Sequence, residues 1–150
     1  MFKKILCATD LNRASIEAVK KTIQIAKQFN SRVLMLNVHD EFMTKEEMSM
    51  LRVSIEDIKF KFERVAIDSR SEMKNIVDHL NAGNIKVEYK LKEGKAHKII
   101  CKESASQNID LIVMGVSEKN SLTSFIFNST ASYVIEHVNI PVLVVPIKNI

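Results

Sequence analysis

Short apolar runs alternate along this chain with longer segments whose apolar residues recur every three or four positions. Four of the runs lie at 4–9, 32–38, 111–114 and 141–146. Runs of this length and composition predict strands that are buried on both faces, as in a parallel sheet. A fifth segment, 85–91, alternates apolar with charged residues. That period of two predicts an edge strand with one face in water.

The segments between the strands have the periodicity of amphipathic helices. Ser15 is placed to cap the first of them through its hydroxyl. The apolar and small residues that recur on the predicted inner face of this helix are Ala18, Thr22, Ile25 and Phe29.

Two further helices complete the alternation of elements. Gly94 precedes a short predicted helix over 97–106, and Ser124 is placed to cap a last helix that extends through Ile135. Because strands and helices alternate throughout, the chain is predicted to form a single doubly wound α/β domain over 1–150. We expect a five-stranded parallel sheet with helices on both faces.

The longest periodic segment, 44–80, contains no Gly or Pro. As one helix it would span about 55 Å, which exceeds the diameter of a domain of this size. We therefore expect the helix either to bend near 68–71, where its apolar stripe falls on Ser69, or to project beyond the body of the domain. The stripe consists of Met48, Leu51, Ile55, Ile58, Phe62, Val65, Met73, Ile76, Val77 and Leu80.

A second set of apolar residues lies on the opposite side of the same segment. Val53, Phe60 and Ile67 recur every seven residues, although a helix that covers a sheet needs only one apolar face. Scattered surface apolar residues are common, and that interpretation stays open. The alternative is a contact surface on the 44–80 helix for a protein partner or a second subunit.

Composition and charge exclude several classes of protein. The chain is 46% hydrophobic and 27% charged, as is ordinary for a globular domain, and its net charge of +4 is dispersed. Without a basic cluster interleaved with aromatic residues, we expect no nucleic-acid partner. No uncharged apolar run is long enough to span a membrane, and the amino terminus enters a strand without a signal-peptide core. These features predict a cytoplasmic location.

Signatures of catalysis and of metal binding are missing from the sequence. Cys7 and Cys101 lie far apart with no CxxC or Cys/His ligand spacing, so we expect reduced packing thiols. The histidines have no i,i+4 partner for a metal, although His39 and His97 are expected near the carboxyl edge of the sheet. A P-loop, a nucleophile elbow and a His-x-Gly-His motif are all lacking. A receiver domain would need an aspartate ending the third strand, where residues 91–94 read Leu-Lys-Glu-Gly. We expect the protein not to be an enzyme.

Several local patterns together resemble the universal stress protein family. Residues 5–10 (Ile-Leu-Cys-Ala-Thr-Asp), followed by Ser15 and Ala18, resemble the amino-terminal segment of sequences in that family. The segments 110–115 and 140–146, in this order and with Gly94 before them, resemble it as well. The resemblance implies strand order 3-2-1-4-5, a reversal of strand order between strands one and four, and homodimers.

Some members of this family bind ATP through Gly-x-x-Gly, nine residues, and then Gly-Ser/Thr. In this chain Gly115, which we expect to end the fourth strand, takes the first position and Ser129 the hydroxyl position. Glu118 and Asn128 replace the other two glycines. A carboxylate repels phosphates at close range and a Cβ narrows the approach of the backbone, although Lys119 would partly offset the charge. The degenerate motif predicts weak or no ATP binding.

The resemblance assigns four residues to the nucleotide site: Asp10, Val38, Gly115 and Ser129. Asp10 matches an acidic residue beside the nucleotide, and Val38 matches the position whose backbone meets the adenine. Structural roles remain open for three of them. An aspartate that closes a strand often only initiates a turn, Val38 is a buried strand residue in any case, and Ser129 can bond its own helix backbone.

The final strand predicts how the chain assembles. Residues 142–145 are apolar throughout, yet the strand order implied by the resemblance places them at an edge of the sheet. An apolar edge invites pairing with another chain, and Pro141 and Pro146 are expected to bound it. We therefore expect a homodimer joined through the C-terminal strand.

Two functions remain open at this point. One is a non-enzymatic stress-response module that acts as a dimer and holds ATP weakly or not at all, with no cofactor. The other is a nucleotide-binding switch with slow or incidental hydrolysis, which Asp10, Gly115 and Ser129 favour.

Overall fold

The computed structural model describes residues 1–11, 15–39, 45–117 and 129–147, which form five strands and five helices in these ranges. In chain order the elements are β1 (Lys4–Ala8), α1 (Ile16–Phe29), β2 (Arg32–His39), α2 (Lys45–Leu51), α3 (Ile55–Asp78), β3 (Val87–Glu93), α4 (Ala96–Ser106), β4 (Leu111–Ser117), α5 (Ser129–His137) and β5 (Val142–Ile147).

All the strands are parallel and form one sheet in the order β3-β2-β1-β4-β5. The predicted fold class and strand order are therefore confirmed. β1 is central: Ile5 lies opposite Val33 of β2 on one side and Leu111 of β4 on the other. The order of strands reverses beside β1, and ligands of open α/β sheets bind at the carboxyl edge at such a point.

Each face of the sheet is covered by its own apolar core. Because successive side chains of a strand point to opposite faces, Ile5 and Cys7 pack in one core while Leu6 packs in the other. The first core includes residues of α1 and of the C-terminal part of α3, and the second includes residues of α4 and α5. This two-faced burial explains the uncharged runs in the strand sequences.

Asp110 fixes the start of β1 to the start of β4. Its carboxylate oxygen Oδ2 accepts hydrogen bonds from the backbone N–H groups of Lys3 and Lys4, each at 2.9 Å. The backbone N–H of Asp110 donates in turn to the carbonyl oxygen of Lys4 at 2.8 Å. A hydrogen bond to a charged group is worth about 1.5–3 kcal/mol, so this contact stabilises the central strand pair.

Ser15 precedes α1 but does not cap it, so that prediction was wrong. Its backbone is already helical, with φ −79° and ψ −10°, whereas an N-cap residue that bonds the first turn is extended. Its hydroxyl lies 2.8 Å from that of Thr9 instead. Of the predicted inner face, Ile25 is half-buried and Phe29 is exposed, with its ring edge-to-face against Phe2. The buried residues of α1 are Ala18, Val19, Thr22, Ile23 and Ala26.

The segment predicted as one long helix is two helices, and the break lies at 52–54 rather than at 68–71. Arg52 adopts the left-handed conformation with φ +54°, and Ser54 then caps α3 by accepting from the N–H of Asp57 at 3.1 Å. A serine that can cap a helix competes with continuation of the preceding one. α3 passes through 68–71 without interruption, over roughly 36 Å in all.

Within the apolar stripe, full burial is reached only towards the C-terminal end. Met73 and Val77 are buried, whereas Leu51 and Ile55 are 62% and 77% exposed. On the opposite side, Phe60 and Ile67 are 62% and 61% exposed. The amino-terminal half of α3 therefore carries uncovered apolar residues on both sides.

β5 continues through Pro146, which lies opposite Val116, so the prediction that this proline bounds the strand was wrong. Proline is tolerated here because a strand at the edge of a sheet does not need every N–H for pairing. Pro141 does precede the strand, and its carbonyl accepts from the N–H of Ile112 at 3.1 Å. The predicted cap Ser124 lies outside the described residues.

Candidate functional site

The loop after β1 is held by a pair of buried hydroxyl groups. Thr9 Oγ1 lies 2.8 Å from Ser15 Oγ and also accepts from the N–H of Leu11 at 3.1 Å. The N–H of Thr9 donates to the carbonyl of Leu36 in β2 at 2.9 Å. These bonds fix the backbone on both sides of Asp10, whose side chain is exposed at the carboxyl edge. Leu11 follows with φ +64°.

A cleft of about 390 Å³ opens at this edge, between the carboxyl ends of the strands and α3. It brings together Asp10 and Val38, two of the four residues predicted for the nucleotide site. We name it the β2–α3 cleft. Its described lining residues are Asp10, Leu11, Asn37, Val38, His39, Val65, Asp68, Ser69, Glu72 and Leu91.

One side of the β2–α3 cleft is a face of α3 that the sequence did not reveal as part of a site. Val65, Asp68, Ser69 and Glu72 have the spacing i, i+3, i+4, i+7, which places them on one face of a helix. Asp68 and Glu72 are exposed, while Ser69 between them is only 5% exposed. Ser69, the polar residue on which the apolar stripe falls, was the sign in the sequence that this face borders a cavity.

Gly115 and Ser129, the other two predicted site residues, do not line the β2–α3 cleft. Gly115 does not end its strand either, because β4 continues to Ser117 and Gly115 lies opposite Val145 of β5. Ser129 is the first residue of α5 and is exposed. Glu118, Lys119 and Asn128 of the predicted phosphate loop lie outside the described residues.

Among the described residues that line the β2–α3 cleft, the charged groups are mainly negative. Three carboxylates line it, on Asp10, Asp68 and Glu72, together with the imidazole of His39, and its described lining includes no Lys or Arg. Across the part of the chain that the structure describes, no group of three or more His, Cys, Asp or Glu side chains is arranged to hold a metal ion. The chemistry offered is that of acceptors for hydrogen bonds and for cations.

The two histidines expected near the carboxyl edge do not converge. His39 lines the β2–α3 cleft, whereas the ring of His97 on α4 packs against Tyr133 of α5, with centroids 4.4 Å apart. Tyr133 stacks in turn on His137 at 3.8 Å. His97 therefore belongs to an aromatic contact between two helices.

The cysteines are not linked by a disulfide. Cys7 is buried in β1, and burial raises the pKa of its thiol to about 11, with a weaker opposing effect from its hydrogen bond with the Thr22 side chain. Burial also raises the pKa of the half-buried Cys101 thiol. Thiols with raised pKa values are poor nucleophiles at neutral pH.

Among the helices that the structure describes, none is long and apolar enough to cross a membrane.

Comparisons with known proteins agree with this architecture. The universal stress protein family model matches residues 1–146. A universal stress protein of Methanocaldococcus jannaschii is 28% identical over 99% of this chain and 98% of its own length. Its solved structure has a TM-score of 0.77 and covers 100% of this chain and 99% of that one. UspA from Lactobacillus plantarum, 22% identical over 96% and 97% of the two chains, shares the fold with a TM-score of 0.73.

A further structure with this fold is that of an Arabidopsis thaliana universal stress protein family member with AMP bound. It is 16% identical, with a TM-score of 0.59 over 98% of this chain and 92% of that one. The family model, by contrast, covers nearly the whole sequence. On that match, the chain belongs to the universal stress protein family.

Proposed function

We propose that this protein is a non-enzymatic stress-response module that acts as a homodimer in the cytoplasm and holds ATP weakly or not at all. The observation that carries the proposal is the charge of the β2–α3 cleft: Asp68 and Glu72 add two carboxylates to that of Asp10, and no Lys or Arg is among its described lining residues. A triphosphate brings several negative charges to this edge of the sheet. Two like charges about 4 Å apart repel by about 1 kcal/mol in bulk water and by about 4 kcal/mol near a protein surface, and the repulsion falls as the distance grows.

The sequence of the loop after β4 supports the same conclusion. Glu118 and Asn128 stand where ATP-binding members of the family have glycines. Glycine lets backbone N–H groups approach a phosphate, and a glutamate in its place brings a repelling charge. The carboxylates of the loop and of the cleft thus act in the same direction on a negatively charged ligand.

Calorimetry with Mg-ATP tests the proposal directly. We expect a dissociation constant weaker than about 100 µM, that is, less than roughly 5.5 kcal/mol of binding free energy. Glu118→Gly with Asn128→Gly should tighten binding about tenfold or more, because it removes a repelling charge and restores the backbone approach. The control is Glu56→Gln with Glu63→Gln on α3, outside the cleft lining. It removes two carboxylates, one more than the test pair, and should tighten ATP binding little. A low-micromolar or tighter constant for the unmodified chain would contradict the proposal.

The alternative is a nucleotide-binding switch with slow hydrolysis. It is supported by the meeting of Asp10 and Val38 in one cleft and by solved relatives of this fold, one with AMP bound and another in complex with cAMP. AMP carries less charge than ATP, so the acidic lining disfavours it less. Titration with AMP beside ATP distinguishes the two functions: tight binding of both, with measurable release of phosphate from ATP, favours the switch.

A protein partner on the α2–α3 region is a further part of the proposal. Phe60 and Ile67 of α3 are more than half exposed, and so are Ile55 on the other side of α3 and Leu51 at the end of α2. Burying a side chain of this size is worth about 1.5–3 kcal/mol. A partner that covered them would gain that free energy.

A further inference from the structure

Phe60 and Ile67 form an uncovered apolar strip along the outer side of α3. They are 62% and 61% exposed, and because they stand seven residues apart, close to two helical turns, their side chains lie in one line. Ser69 and Met73, which lie towards the other side of the helix, are buried. The outer side of α3 is therefore open to a partner. We call it the Phe60–Ile67 strip.

Charged residues on one side of the Phe60–Ile67 strip change sign along the helix. Glu56 is four residues before Phe60, and Arg70 is three residues after Ile67, so both lie beside the strip on the same side. Both are exposed, and in the described part of the chain neither forms an ion pair. They are about 21 Å apart along the helix axis, too far to meet within one chain.

A second pair of opposite charges lies on the other side of the strip. Lys61 and Asp68 directly follow Phe60 and Ile67 in the sequence, and both are exposed. Here the sign changes from basic to acidic along the helix. A partner of a single sign, such as an anionic membrane or a basic peptide, is repelled at one end of each side. The strip therefore fits a partner whose charges change sign in the reverse direction.

We propose that the Phe60–Ile67 strip binds the same strip of a second copy of this chain, with the two α3 helices antiparallel about a twofold axis. Phe60 of each copy packs against Ile67 of the other, so that both apolar side chains leave water. The inference rests on the proposed partner surface of α3 and names its occupant. It depends neither on pairing through β5 nor on the affinity for ATP.

The charges match in this alignment. With Phe60 level with Ile67 of the other copy, Glu56 lies within about 1.5 Å of Arg70 of the other copy along the axis direction. Lys61 and Asp68 of the two copies lie within about 3 Å of the same level. Each pair occurs twice, because a twofold interface is made of the same surface on both chains. Charge pairs beside an apolar seam set the direction in which two helices align.

The middle of the strip opposes association. Glu63 lies between Glu56 and Arg70 on their side of the strip, and Arg64 lies on the other side, so each meets its own copy at the twofold axis. This repulsion and the small apolar area indicate a weak, reversible contact. We expect a dissociation constant on the order of 100 µM.

Sedimentation of the Val144→Lys chain isolates this contact, because the lysine is intended to block pairing through β5. The variant should be a monomer at low micromolar concentration and dimerise as the concentration approaches about 100 µM. Phe60→Ser with Ile67→Ser in the same chain should weaken the association about tenfold or more. Leu51→Ser is the control: Leu51 is 62% exposed but belongs to α2, and its loss should leave the constant within about twofold.

Exchange of the charges tests the antiparallel alignment. Glu56→Arg and Arg70→Glu should each weaken the association about fivefold or more, because each turns two attractions into repulsions. Both changes in one chain should restore it to within about twofold. An equimolar mixture of the two single variants should form mixed dimers more readily than either variant forms its own. Circular dichroism checks that every variant is folded.

Glu63→Gln should tighten the association about twofold or more, because it removes a repulsion at the twofold axis. This gain separates the proposed alignment from nonspecific apolar contact, which that change would leave as it is.

No association of the Val144→Lys chain up to about 1 mM, or no recovery when the two charge changes are combined, would overturn the proposal. The two assembly ideas stay distinct. A wild-type monomer at micromolar concentration, with α3-dependent dimers at higher concentration, contradicts only pairing through β5. A wild-type dimer that gains no mass at higher concentration contradicts only pairing through α3.

Discussion

The hydroxyl oxygens of Thr9 and Ser15 lie 2.8 Å apart in a buried contact that joins the end of β1 to the start of α1. Thr9 also accepts the N–H of Leu11, so one side chain closes the turn that carries Asp10. We expect Ser15→Ala to lower the free energy of unfolding by about 1 kcal/mol, and Thr9→Val by about 1–3 kcal/mol because it leaves a backbone N–H unpaired as well. Urea denaturation measures both.

A double-mutant cycle between Thr9 and Ser15 checks that the two hydroxyls act on each other. Their coupling energy should be about 0.5 kcal/mol or more. Ser104→Ala is the control, since that hydroxyl bonds the carbonyl of Cys101 within its own helix, and its coupling to Thr9 should be near zero. Full additivity of Thr9→Val and Ser15→Ala would show that the contact adds nothing to stability.

The edge position of β5 leads to a prediction about assembly. Val142, Leu143, Val144 and Val145 are half-buried in the single chain, and within the described residues β5 pairs only with β4. Pairing with a second copy would satisfy the open edge and cover these side chains. Sedimentation at micromolar concentration should report twice the 17.1 kDa mass of the chain.

Val144→Lys should shift this dimer toward monomer, because a lysine at the open edge cannot be buried against a partner strand. Val87→Lys introduces the same charge on β3, the opposite edge strand, and should leave the mass unchanged provided that circular dichroism shows a folded chain. A wild-type monomer under these conditions would rule out assembly through β5.

The buried Cys7 thiol predicts a loss of stability at high pH. Its pKa rises from 9.0 to about 11 on folding because burial disfavours the thiolate. The fold therefore favours the protonated thiol, whose contribution is fully present below pH 9.0 and is lost as the pH rises through about 11. Relative to Cys7→Ala, the wild type should lose about 2 kcal/mol of unfolding free energy between pH 8 and pH 11.

Urea denaturation at intervals over that pH range measures the difference. Cys101→Ala is the control: its thiol is only half-buried, so its removal should change the pH dependence less. The raised pKa of Tyr89 acts in the same direction, but Tyr89 is present in every sample and cancels from the comparison. Parallel pH curves for wild type and Cys7→Ala would contradict the assigned burial effect.

The interior strands β2, β1 and β4 could be predicted because their central residues are buried on both faces of the sheet, so charge is excluded there. Ile112 and Val113, for instance, pack in opposite cores, so neither could be polar. The order of the strands came from the family resemblance, since apolar runs alone do not fix which strands are neighbours. The break before α3 was missed because the three- and four-residue spacing continues across Val53. Ser54 followed three residues later by Asp57 was the local sign of a new helix.

The candidate site was predicted only in part, for a physical reason. Asp10 and Val38 are at strand ends, and parallel strands bring their carboxyl ends to one edge whatever their separation in sequence. Ser69 and Glu72 reach the same cleft from a helix, and their position depends on how α3 packs across the sheet. No spacing rule links residue 10 to residue 69.

Asp110 accepts hydrogen bonds from the N–H groups of Lys3 and Lys4, which are synthesised much earlier than Asp110 itself. β1 is made first but occupies the middle of the sheet, and one of its two neighbouring strands begins only at Leu111. Contacts between residues so distant along the chain form slowly, because the intervening segment must lose its conformational freedom first. A nascent chain that stops short of β4 therefore leaves one edge of β1 unpaired, and an unpaired strand edge is a site at which incomplete chains aggregate.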